Sequence, residues 1–305
     1  MTEKYIPSFI NYTGGKYKIL PQILPLFPEE YSRFIDLFCG SGVVGINLAN
    51  TKDEDVEYIL NDFDENLINI MKTLKEMDYK DFVKKIDEII EKYKLSNTFE
   101  NGYDYYGVNS SEGLSKINKD KYVKLRDDFN NNIFTGKDKW IALYVLIVFA
   151  FNNQIRFNKE GKFNLPTGKR DFNKSMRNKL KEMSRCLKTY NISLNTESFD
   201  SFKFKQGDFV YCDPPYLIST ATYNENGLWT EEDEIKLLDL LDKLNKKRIK
   251  FALSNVTEHN NIKNDILIEW SKNYKVHFIE KDYKNSNYQK KAKDSKTREV
   301  LITNY

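Results

Sequence analysis

The residues that most often bind transition metals or form disulfides are scarce in this sequence. Of its 305 residues, two are His and three are Cys, and Cys39, Cys186 and Cys212 stand far apart. Zinc sites need several clustered Cys or His ligands, and a disulfide framework needs an even set of cysteines. We therefore expect no metal site, no disulfide framework and no metal-dependent hydrolase activity.

Long apolar runs are also missing. The longest, Trp140–Phe151, is shorter than the roughly 20 residues that a helix needs to span a bilayer. The first residues do not show the basic and then apolar pattern of a signal peptide. A cytoplasmic location without membrane contact is therefore expected.

The sequence lacks a strong net charge as well. The formal charge is only +3, so a nucleic-acid partner would require a local basic patch. Residues 281–298 supply a candidate, because this segment is rich in lysine and polar residues and contains two tyrosines. The segment could contact phosphates or form an ordinary solvated loop, and its composition fits both.

The most informative stretch is Gly207–Tyr216, an apolar run that enters a turn with two prolines. Phe209–Cys212 has the length and composition of a buried strand in an α/β sheet. Asp213 follows that strand, at the end where open α/β sheets bind their ligands. Pro214 and Pro215 have no N–H donors, so the corner offers a carboxylate and carbonyl oxygens to an amino group, and the final tyrosine adds a stacking surface. A proline-rich turn without any ligand is the alternative.

A glycine-rich turn at 39–45 follows a second predicted strand, Arg33–Phe38, and precedes a helix. Gly40, Gly42 and a third glycine match the dinucleotide fingerprint, which is also found in dehydrogenases. Asp36 argues against a dehydrogenase, because a carboxylate on that strand would repel a pyrophosphate and attract the sulfonium and ammonium groups of S-adenosylmethionine.

Two neighbouring segments fit the same cofactor. Asp62 ends another predicted strand, Glu57–Asp62, about 20 residues beyond the glycines, where an acidic residue can accept hydrogen bonds from ribose hydroxyls. Gly14 and Gly15 would let a ligand approach the backbone closely, and Lys16 could meet a carboxylate there. Glycines that serve only a tight turn between strand and helix remain the alternative.

Residues 66–184 carry mainly helical patterns, with apolar residues at helical spacing over much of this range. Asn97–Asp120 lacks such periodicity and predicts an extended loop. Strand patterning resumes near Ile192. We therefore predict a helical insertion at 66–184 in a sheet domain formed by residues 1–65 and 185–305.

Within the insertion, residues 152–171 predict a β-hairpin with Gly161 in its turn. A two-stranded ribbon fits the major groove of DNA, and Arg156 or Arg170 could make a bidentate contact to guanine. A charged surface hairpin that binds nothing would show the same pattern.

Beyond the proline turn, Leu217–Trp229 is polar and irregular and could form a lid. Thr230 is predicted to cap a helix. The core face of this helix is predicted to contain Ile235, Leu237, Leu238, Leu241 and Leu244. Arg248–Val256 predicts the next strand. Ser254 and Asn255 end it near the expected site, where an ordinary strand-end turn is the favoured explanation for them.

The sequence Asp213-Pro-Pro-Tyr216 is the motif of amino-methyltransferases that use S-adenosylmethionine. Over nearly its whole length the sequence resembles the Dam family of DNA adenine methylases, group α, and most of all its T-even bacteriophage branch. The resemblance implies an α/β fold, a Rossmann-like methyltransferase sheet with an inserted helical, β-hairpin-bearing DNA-recognition domain.

The resemblance also implies roles for individual residues. Catalysis is assigned to Asp213, Pro214, Pro215 and Tyr216. Cofactor binding is assigned to Tyr12, Lys16, Asp36, Phe38, Gly40, Gly42, Asp62, Phe199, Asp213 and Tyr223. DNA contact is assigned to Gln154, Arg156, Asn158, Pro166 and Arg170. Gln154 departs from the family pattern, which has an apolar residue there.

The expected activity is direct methyl transfer from S-adenosylmethionine to N6 of a flipped-out adenine in double-stranded DNA. Because the predicted hairpin resembles that of Dam enzymes, GATC is the expected recognition sequence. The protein is expected in the cytoplasm of a prokaryotic or phage-infected cell, without an obligate protein partner. Three alternatives remain: methylation of cytosine N4, methylation of a protein glutamine, and a DNA-binding regulator without catalysis.

Overall fold

The computed structural model describes residues 5–11, 14–51, 56–218, 229–280 and 297–305. The chain divides into two compact units. The sheet unit comprises Lys16–Phe63 and Tyr190–Tyr305, and the helical unit comprises Met1–Gly15 and Asp64–Thr189. The residues before Lys16 thus group with the helices, whereas the sequence analysis placed them with the sheet. That the two units serve catalysis and target recognition stays a prediction.

The strands all belong to the sheet unit. They are β1 (Arg33–Asp36), β2 (Glu57–Asn61), β3 (Ile192–Asn195), β4 (Asp208–Cys212), β5 (Lys250–His259), β6 (Ile262–Lys263), β7 (Lys275–Ile279) and β8 (Thr297–Thr303). The strands predicted from Arg33, Glu57 and Phe209 are confirmed as β1, β2 and β4.

The helices are divided between the units. They are α1 (Leu20–Ile23), α2 (Val43–Thr51), α3 (Glu65–Glu76), α4 (Tyr79–Lys92), α5 (Thr98–Asn101), α6 (Ser115–Asn130), α7 (Gly136–Phe149), α8 (Lys174–Thr189), α9 (Glu231–Lys246) and α10 (Asp265–Ser271). Helices α3 to α8 lie in the helical unit.

Within the described ranges, the strands form one sheet in the order β3-β2-β1-β4-β5-β8-β7, and β6 pairs with β5. From β3 to β5 all neighbours are parallel, whereas β8 is antiparallel to β5 and β7. All five residues of β4 are buried, as expected for a central strand covered on both faces. The direction of winding reverses between β1 and β4, and the carboxyl ends of the strands at such a point form the usual ligand crevice of an α/β sheet.

Helix α9 covers β5 and begins with the predicted cap. The Thr230 side chain accepts a hydrogen bond from the Asp233 backbone, and the Asp233 side chain accepts one from the Thr230 backbone. Ile235 was wrongly placed on the core face, because its side chain is 47% exposed. It lies two residues before Leu237, about 200° around the helix. Glu234 takes the buried position instead, with 0% exposure.

Helix α7 is the centre of the helical unit. All its residues from Ile141 to Phe149 are buried, so the helix is apolar on every side. Helices α3, α4 and α6 pack against it. None of the helices in the described ranges is both long enough and apolar enough to cross a membrane.

The prediction of an extended loop over Asn97–Asp120 was partly wrong. The segment contains α5 and a short 3₁₀ turn at Asp104–Tyr106, and α6 already begins at Ser115. Helical periodicity was hidden because the first turns of α6 are mostly polar and because each short helix has only one turn.

The predicted hairpin is present as a chain reversal with little regular pairing. Its bridges join Phe157 to Phe163 and Ala150 to Thr167. Gly161, at φ 72°, is in the turn as predicted. The side chain of Asn158 accepts hydrogen bonds from the backbones of Glu160 and Lys162, a local pattern that replaces part of a regular ladder.

Candidate functional site

Three carboxylates lie at the carboxyl ends of neighbouring parallel strands of the sheet unit. Asp36 is the last residue of β1, Asp62 follows β2 directly, and Asp213 follows β4. Since β1 lies between β2 and β4, the sheet topology brings all three to one edge. This edge is where sequence reasoning expected a ligand.

Asp213 is the centre of a compact group of polar side chains. Its Oδ1 lies 2.7 Å from Nζ of Lys16 and accepts a hydrogen bond of 3.1 Å from the hydroxyl of Tyr216. Lys16 Nζ also donates to the Tyr216 hydroxyl at 2.6 Å. Lys16, which was expected at the cofactor, therefore contacts the predicted catalytic residues directly.

Lys16 carries a buried positive charge, since it is only 2% exposed. Burial by itself would lower the pKa of Lys16, but the nearby Asp213 and Glu299 carboxylates more than offset this and raise its pKa above the ordinary value. The lysine thus stays protonated and balances part of the negative charge at this corner.

Glu299 is a member of this group that the sequence analysis missed. It lies in β8, is 2% exposed, and its Oε1 is 3.6 Å from Lys16 Nζ and 3.3 Å from the Tyr216 hydroxyl. The sequence gives no clear signal for it, because Glu299 follows Arg298 at the polar start of β8, before the apolar residues Val300–Ile302.

The hydrogen bonds with Lys16, Asp213 and Glu299 hold Tyr216, which directly follows the two prolines of the turn. Burial, followed by the negative charges of Asp213 and Glu299, raises the pKa of its hydroxyl well above the ordinary value, so the group remains a neutral donor. In the neighbouring strand β4, the Tyr211 hydroxyl forms a hydrogen bond with the Ser254 hydroxyl of β5 at 2.8 Å. Ser254 and Asn255 were expected in a turn, but both are buried inside β5.

Asp36 has the chemistry that a cationic ligand requires. It is 1% exposed, and its Oδ1 accepts no hydrogen bond from the described residues. Burial, and then the negative charge of Asp213, raise the pKa of Asp36 well above the ordinary value. Ser41 Oγ is a second buried polar atom without a hydrogen-bond partner in the described part of the chain. Two such atoms beside one turn fit a ligand with positive and hydroxyl groups.

The glycine-rich turn has the geometry of a cofactor loop. Gly40 and Gly42 have positive φ angles of 50° and 73°, which favour glycine. The Gly40 N–H donates to Asp62 Oδ2 at 2.7 Å, so Asp62 is fixed against the turn. A side chain at Gly45 would place its Cβ 2.2 Å from Leu60, so this glycine permits α2 to pack closely on β2.

Three aromatic rings stand beside this turn. The ring centroids of Phe38 and Phe199 are 5.5 Å apart, and Trp229 lies 5.6 Å from Phe38 and 5.8 Å from Phe199. Trp229 was not assigned to the site from sequence. Its indole N–H donates at 2.8 Å to the buried carboxylate of Glu234, which fixes the ring. The cluster offers flat apolar surface of the kind that binds a nucleobase.

The predicted DNA-contacting residues lie in the helical unit. Arg156 donates to the side chain and the carbonyl of Asn164, and Arg170 donates to Tyr103 and Ser110. Asn158 is engaged in its turn, as described above. Pro166 is exposed and Gln154 is half-buried.

Several predicted features lie outside the described residues. They are Tyr12, Tyr223, most of the lid segment and the basic run at 281–296. Among the described residues no group of His, Cys, Asp and Glu could hold a metal ion.

Comparison with known proteins identifies a family. A family model described as D12 class N6 adenine-specific DNA methyltransferase matches residues 12–287. The chain is 37% identical to the type II methyltransferase M.FokI of Planomicrobium okeanokoites, over 100% of the chain and 44% of that protein. It is 38% identical to the modification methylase StsI of Streptococcus sanguinis, again over 100% of the chain and 44% of that protein.

A more distant relative is matched over most of its length. The chain is 28% identical to the DNA adenine methylase of Haemophilus influenzae, over 81% of the chain and 78% of that protein. By contrast, the chain spans less than half the length of M.FokI and StsI.

Proposed function

The chain belongs to the family of D12 class N6 adenine-specific DNA methyltransferases, and from this membership we propose that it methylates N6 of adenine in double-stranded DNA. The observation that carries the proposal is the group formed by Lys16, Asp213, Tyr216 and Glu299 at the carboxyl end of β4, in which Lys16 and Glu299 are buried and Asp213 and Tyr216 are half-buried. Such a group suits an exocyclic amine, because it presents fixed acceptors beside an aromatic ring.

In the proposed mechanism the N6 amino group donates hydrogen bonds to the Asp213 carboxylate and the Pro214 carbonyl. N6 is a weak nucleophile because its lone pair is delocalised into the ring, and these acceptors favour a pyramidal nitrogen. Asp213 already accepts two bonds on Oδ1, but a carboxylate has about four acceptor positions. Lys16 and Tyr216 hold the carboxylate in place, and the Tyr216 ring offers a stacking surface to the base.

S-adenosylmethionine is the proposed cofactor, and it supplies an electrophilic methyl group. Asp36 would attract its positive charge, Asp62 would accept from its ribose hydroxyls, and Gly40 and Gly42 allow close approach of the backbone. Phe38 and Phe199 would pack against its adenine. Lys16, Tyr12 and Tyr223 are kept as cofactor contacts on the family resemblance alone.

The segment at 152–171 is proposed to contact the DNA, with Arg156 and Arg170 as candidate readers of guanine. Resemblance of this segment to the hairpin of Dam enzymes supports GATC as the site. The adenine would leave the duplex at a cost of about a few kcal/mol, because N6 is not reachable inside the stack. The relatives M.FokI, a type II methyltransferase, and StsI, a modification methylase, support a role as the modification enzyme of a restriction system.

The decisive experiment replaces Asp213 with Ala and measures transfer of a radiolabelled methyl group from S-adenosylmethionine to plasmid DNA. The rate should fall by at least about a hundredfold, the size expected for a group that acts on the reacting amine. Much of the cofactor affinity, measured by calorimetry, should remain, because the other expected cofactor contacts are unchanged. Asp239→Ala, at an exposed position of α9, is the control. A rate near that of the control would contradict the proposed role of Asp213.

The modified nucleoside separates the proposal from its alternatives. Digestion of the labelled DNA should give N6-methyl-2′-deoxyadenosine, whereas N4-methyl-2′-deoxycytidine would identify a cytosine enzyme. Label on a release-factor-like protein, with none on DNA, would identify a glutamine methyltransferase. Single-molecule sequencing of the plasmid shows which adenines are modified, and methylation outside GATC would refute only the site.

A further inference from the structure

The segment at 96–114, here called the clamp segment, encloses the end of the predicted hairpin. It had no assigned role in the sequence analysis. Its two ends contact Lys169 and Asp171, the residues on either side of Arg170. All these residues belong to the helical unit.

One end of the clamp segment is fixed by a buried carboxylate. Asp171 is 0% exposed and accepts hydrogen bonds from the backbone of Thr98 at 2.7 Å, its hydroxyl at 2.6 Å, and the hydroxyl of Ser96 at 3.2 Å. Asn118, also 0% exposed, binds the backbone and the hydroxyl of Ser96. A buried network in which every member is paired keeps a single geometry.

The other end is fixed by close backbone packing. The Leu114 N–H donates to the Lys169 carbonyl at 3.1 Å. A Cβ added to Gly113 would lie 2.6 Å from the Lys169 side chain, so the two backbones approach as closely as glycine allows. The Lys169 ammonium donates to the Ser111 carbonyl at 3.1 Å.

Arg170 lies in sequence between Lys169 and Asp171, the two residues that the clamp segment contacts. Its guanidinium is held through Nη1. Nη1 donates to the Tyr103 hydroxyl at 3.3 Å and to the Ser110 carbonyl at 3.2 Å. These acceptors use both hydrogens of Nη1. Nε and Nη2 donate to nothing in the described part of the chain, and they form the parallel pair that recognises O6 and N7 of guanine.

Arg156 is held differently. Its Nε and Nη2 donate to Asn164 at 2.7 Å and 3.3 Å, across its own hairpin. Within the described ranges it makes no hydrogen bond to the clamp segment. The contacts of Tyr103 therefore act on only one of the two candidate arginines.

We propose that Tyr103 is a positioning residue for DNA recognition, which holds Arg170 so that its Nε and Nη2 can read a guanine. This inference rests on the proposed function of the chain as a DNA methyltransferase. Fixing a flexible arginine before binding reduces the rotamer freedom lost on contact, and so strengthens the discrimination between the guanine and another base. The clamp segment is then part of the specificity apparatus.

The test uses the complete chain and duplex oligonucleotides that carry the sequence methylated by the wild-type protein in cells. Each base pair of that sequence is replaced in turn, and the ratio of methylation rates on the original and replaced duplex gives the discrimination at that position. Arg170→Ala and Arg156→Ala first identify the position that each arginine reads.

Tyr103→Phe removes only the hydroxyl. Discrimination should fall by about fivefold at the position read by Arg170, as expected for the net contribution of one typical hydrogen bond, and at no other position. Tyr105→Phe is the matched control, because this residue is 72% exposed and its hydroxyl makes no hydrogen bond with described residues. The control should behave as wild type.

Two results would overturn the inference while leaving the proposed function intact. They are unchanged discrimination in Tyr103→Phe, and an equal loss at every position, which would indicate a general structural role. Absence of methyl transfer to DNA by the wild-type protein would refute the proposed function itself, and the inference with it.

Melting temperatures would reveal whether Tyr103→Phe misfolds. A second variant, Arg170→Lys, tests the inference independently of it. Arg170→Lys keeps the charge but has no planar fork, so it should lose discrimination at the same position. Competition binding with the replaced duplexes measures this loss without catalysis. Adding Tyr103→Phe to Arg170→Lys should cause no further loss, and an additive loss would contradict the coupling.

Discussion

At the scale of single residues, Asp36 is a buried ionisable group at the proposed cofactor site. Its carboxyl group is enclosed beside Asp213, and its pKa lies well above the ordinary value because burial and this neighbouring charge disfavour ionisation. Asp62 adds to this effect, and Lys16 acts in the opposite direction. A bound cation would favour the ionised form, so the cofactor proposal has a consequence for pH dependence.

The sign follows from linkage between protonation and folding. The folded state has the higher pKa, so the stabilisation by protonated Asp36 is complete below the unfolded pKa of about 4 and is lost as pH rises through the folded pKa. Asp36→Asn removes this dependence. Urea unfolding over a pH series should show wild-type stability falling relative to Asp36→Asn as pH rises.

Cofactor affinity should respond in the opposite direction. Over the same pH window, binding of S-adenosylmethionine to wild type should strengthen as pH rises, because Asp36 becomes charged. Affinity of Asp36→Asn should be weaker and should lack this component. Calorimetry at several pH values measures both, and parallel pH profiles would contradict the role of Asp36.

At the scale of elements, the start of α9 connects the sheet to the aromatic cluster. Glu234 is wholly buried and accepts from Trp229, Asn255 and Asn264 at 2.8, 3.1 and 3.0 Å. Burial raises its pKa above the ordinary value, while these three hydrogen bonds act in the opposite direction. All three partners are donors, so this position requires a group with acceptors only.

Glu234→Gln should therefore lower stability and cofactor affinity together. The amide must direct N–H groups at donors, which leaves a buried donor unpaired and should lower the free energy of unfolding by about 1–3 kcal/mol. Trp229 would lose its fixed position beside Phe38 and Phe199, so S-adenosylmethionine should bind more weakly. Urea unfolding and calorimetry measure the two effects.

Glu232→Gln provides the matched control on the same helix. Its side chain is 81% exposed, and its ion pair within the described ranges is with Lys236, at 3.7 Å. Both stability and affinity should remain near wild type, since exposed pairs contribute little. If Glu234→Gln weakened stability alone, the aromatic cluster would not be part of the cofactor site.

At the scale of the whole molecule, a nearly balanced charge has to be reconciled with the proposed polyanionic substrate. The net charge is +3, so attraction to DNA must come from local concentrations of Lys and Arg. The basic run at 281–296 is the main candidate in sequence, although it lies outside the described residues.

Replacing Lys290 and Lys291 with Ala should weaken binding to all DNA sequences alike. Each phosphate contact contributes about 0.9 to the slope of log K against log salt concentration, so the slope should become shallower by about 1 to 2. Fluorescence anisotropy over a salt series measures it. Lys243→Ala with Lys246→Ala, at exposed positions of α9, makes the same change in charge and should leave the slope unchanged. Equal slopes in the two double variants would exclude a phosphate contact in this run.

The sequence by itself determined the features that depend on neighbouring residues. The strands β1, β2 and β4, the glycine turn and the Asp213 corner were all predicted, because apolar strand runs, glycine and proline act over a few residues. The cap at Thr230 was predicted for the same reason. These local signals also placed three carboxylates at strand ends.

Only the tertiary structure decided which distant side chains complete each group. Lys16 meets Tyr216 across 200 positions of sequence, and Glu299 meets it across 83. Neither pairing leaves a periodic signal, because it depends on the order of strands in the sheet. The same holds for Arg170 and Tyr103, which are 67 positions apart. Burial and neighbouring carboxylates then set the pKa directions of Lys16 and Tyr216, since desolvation and charge contacts depend on the whole enclosing fold.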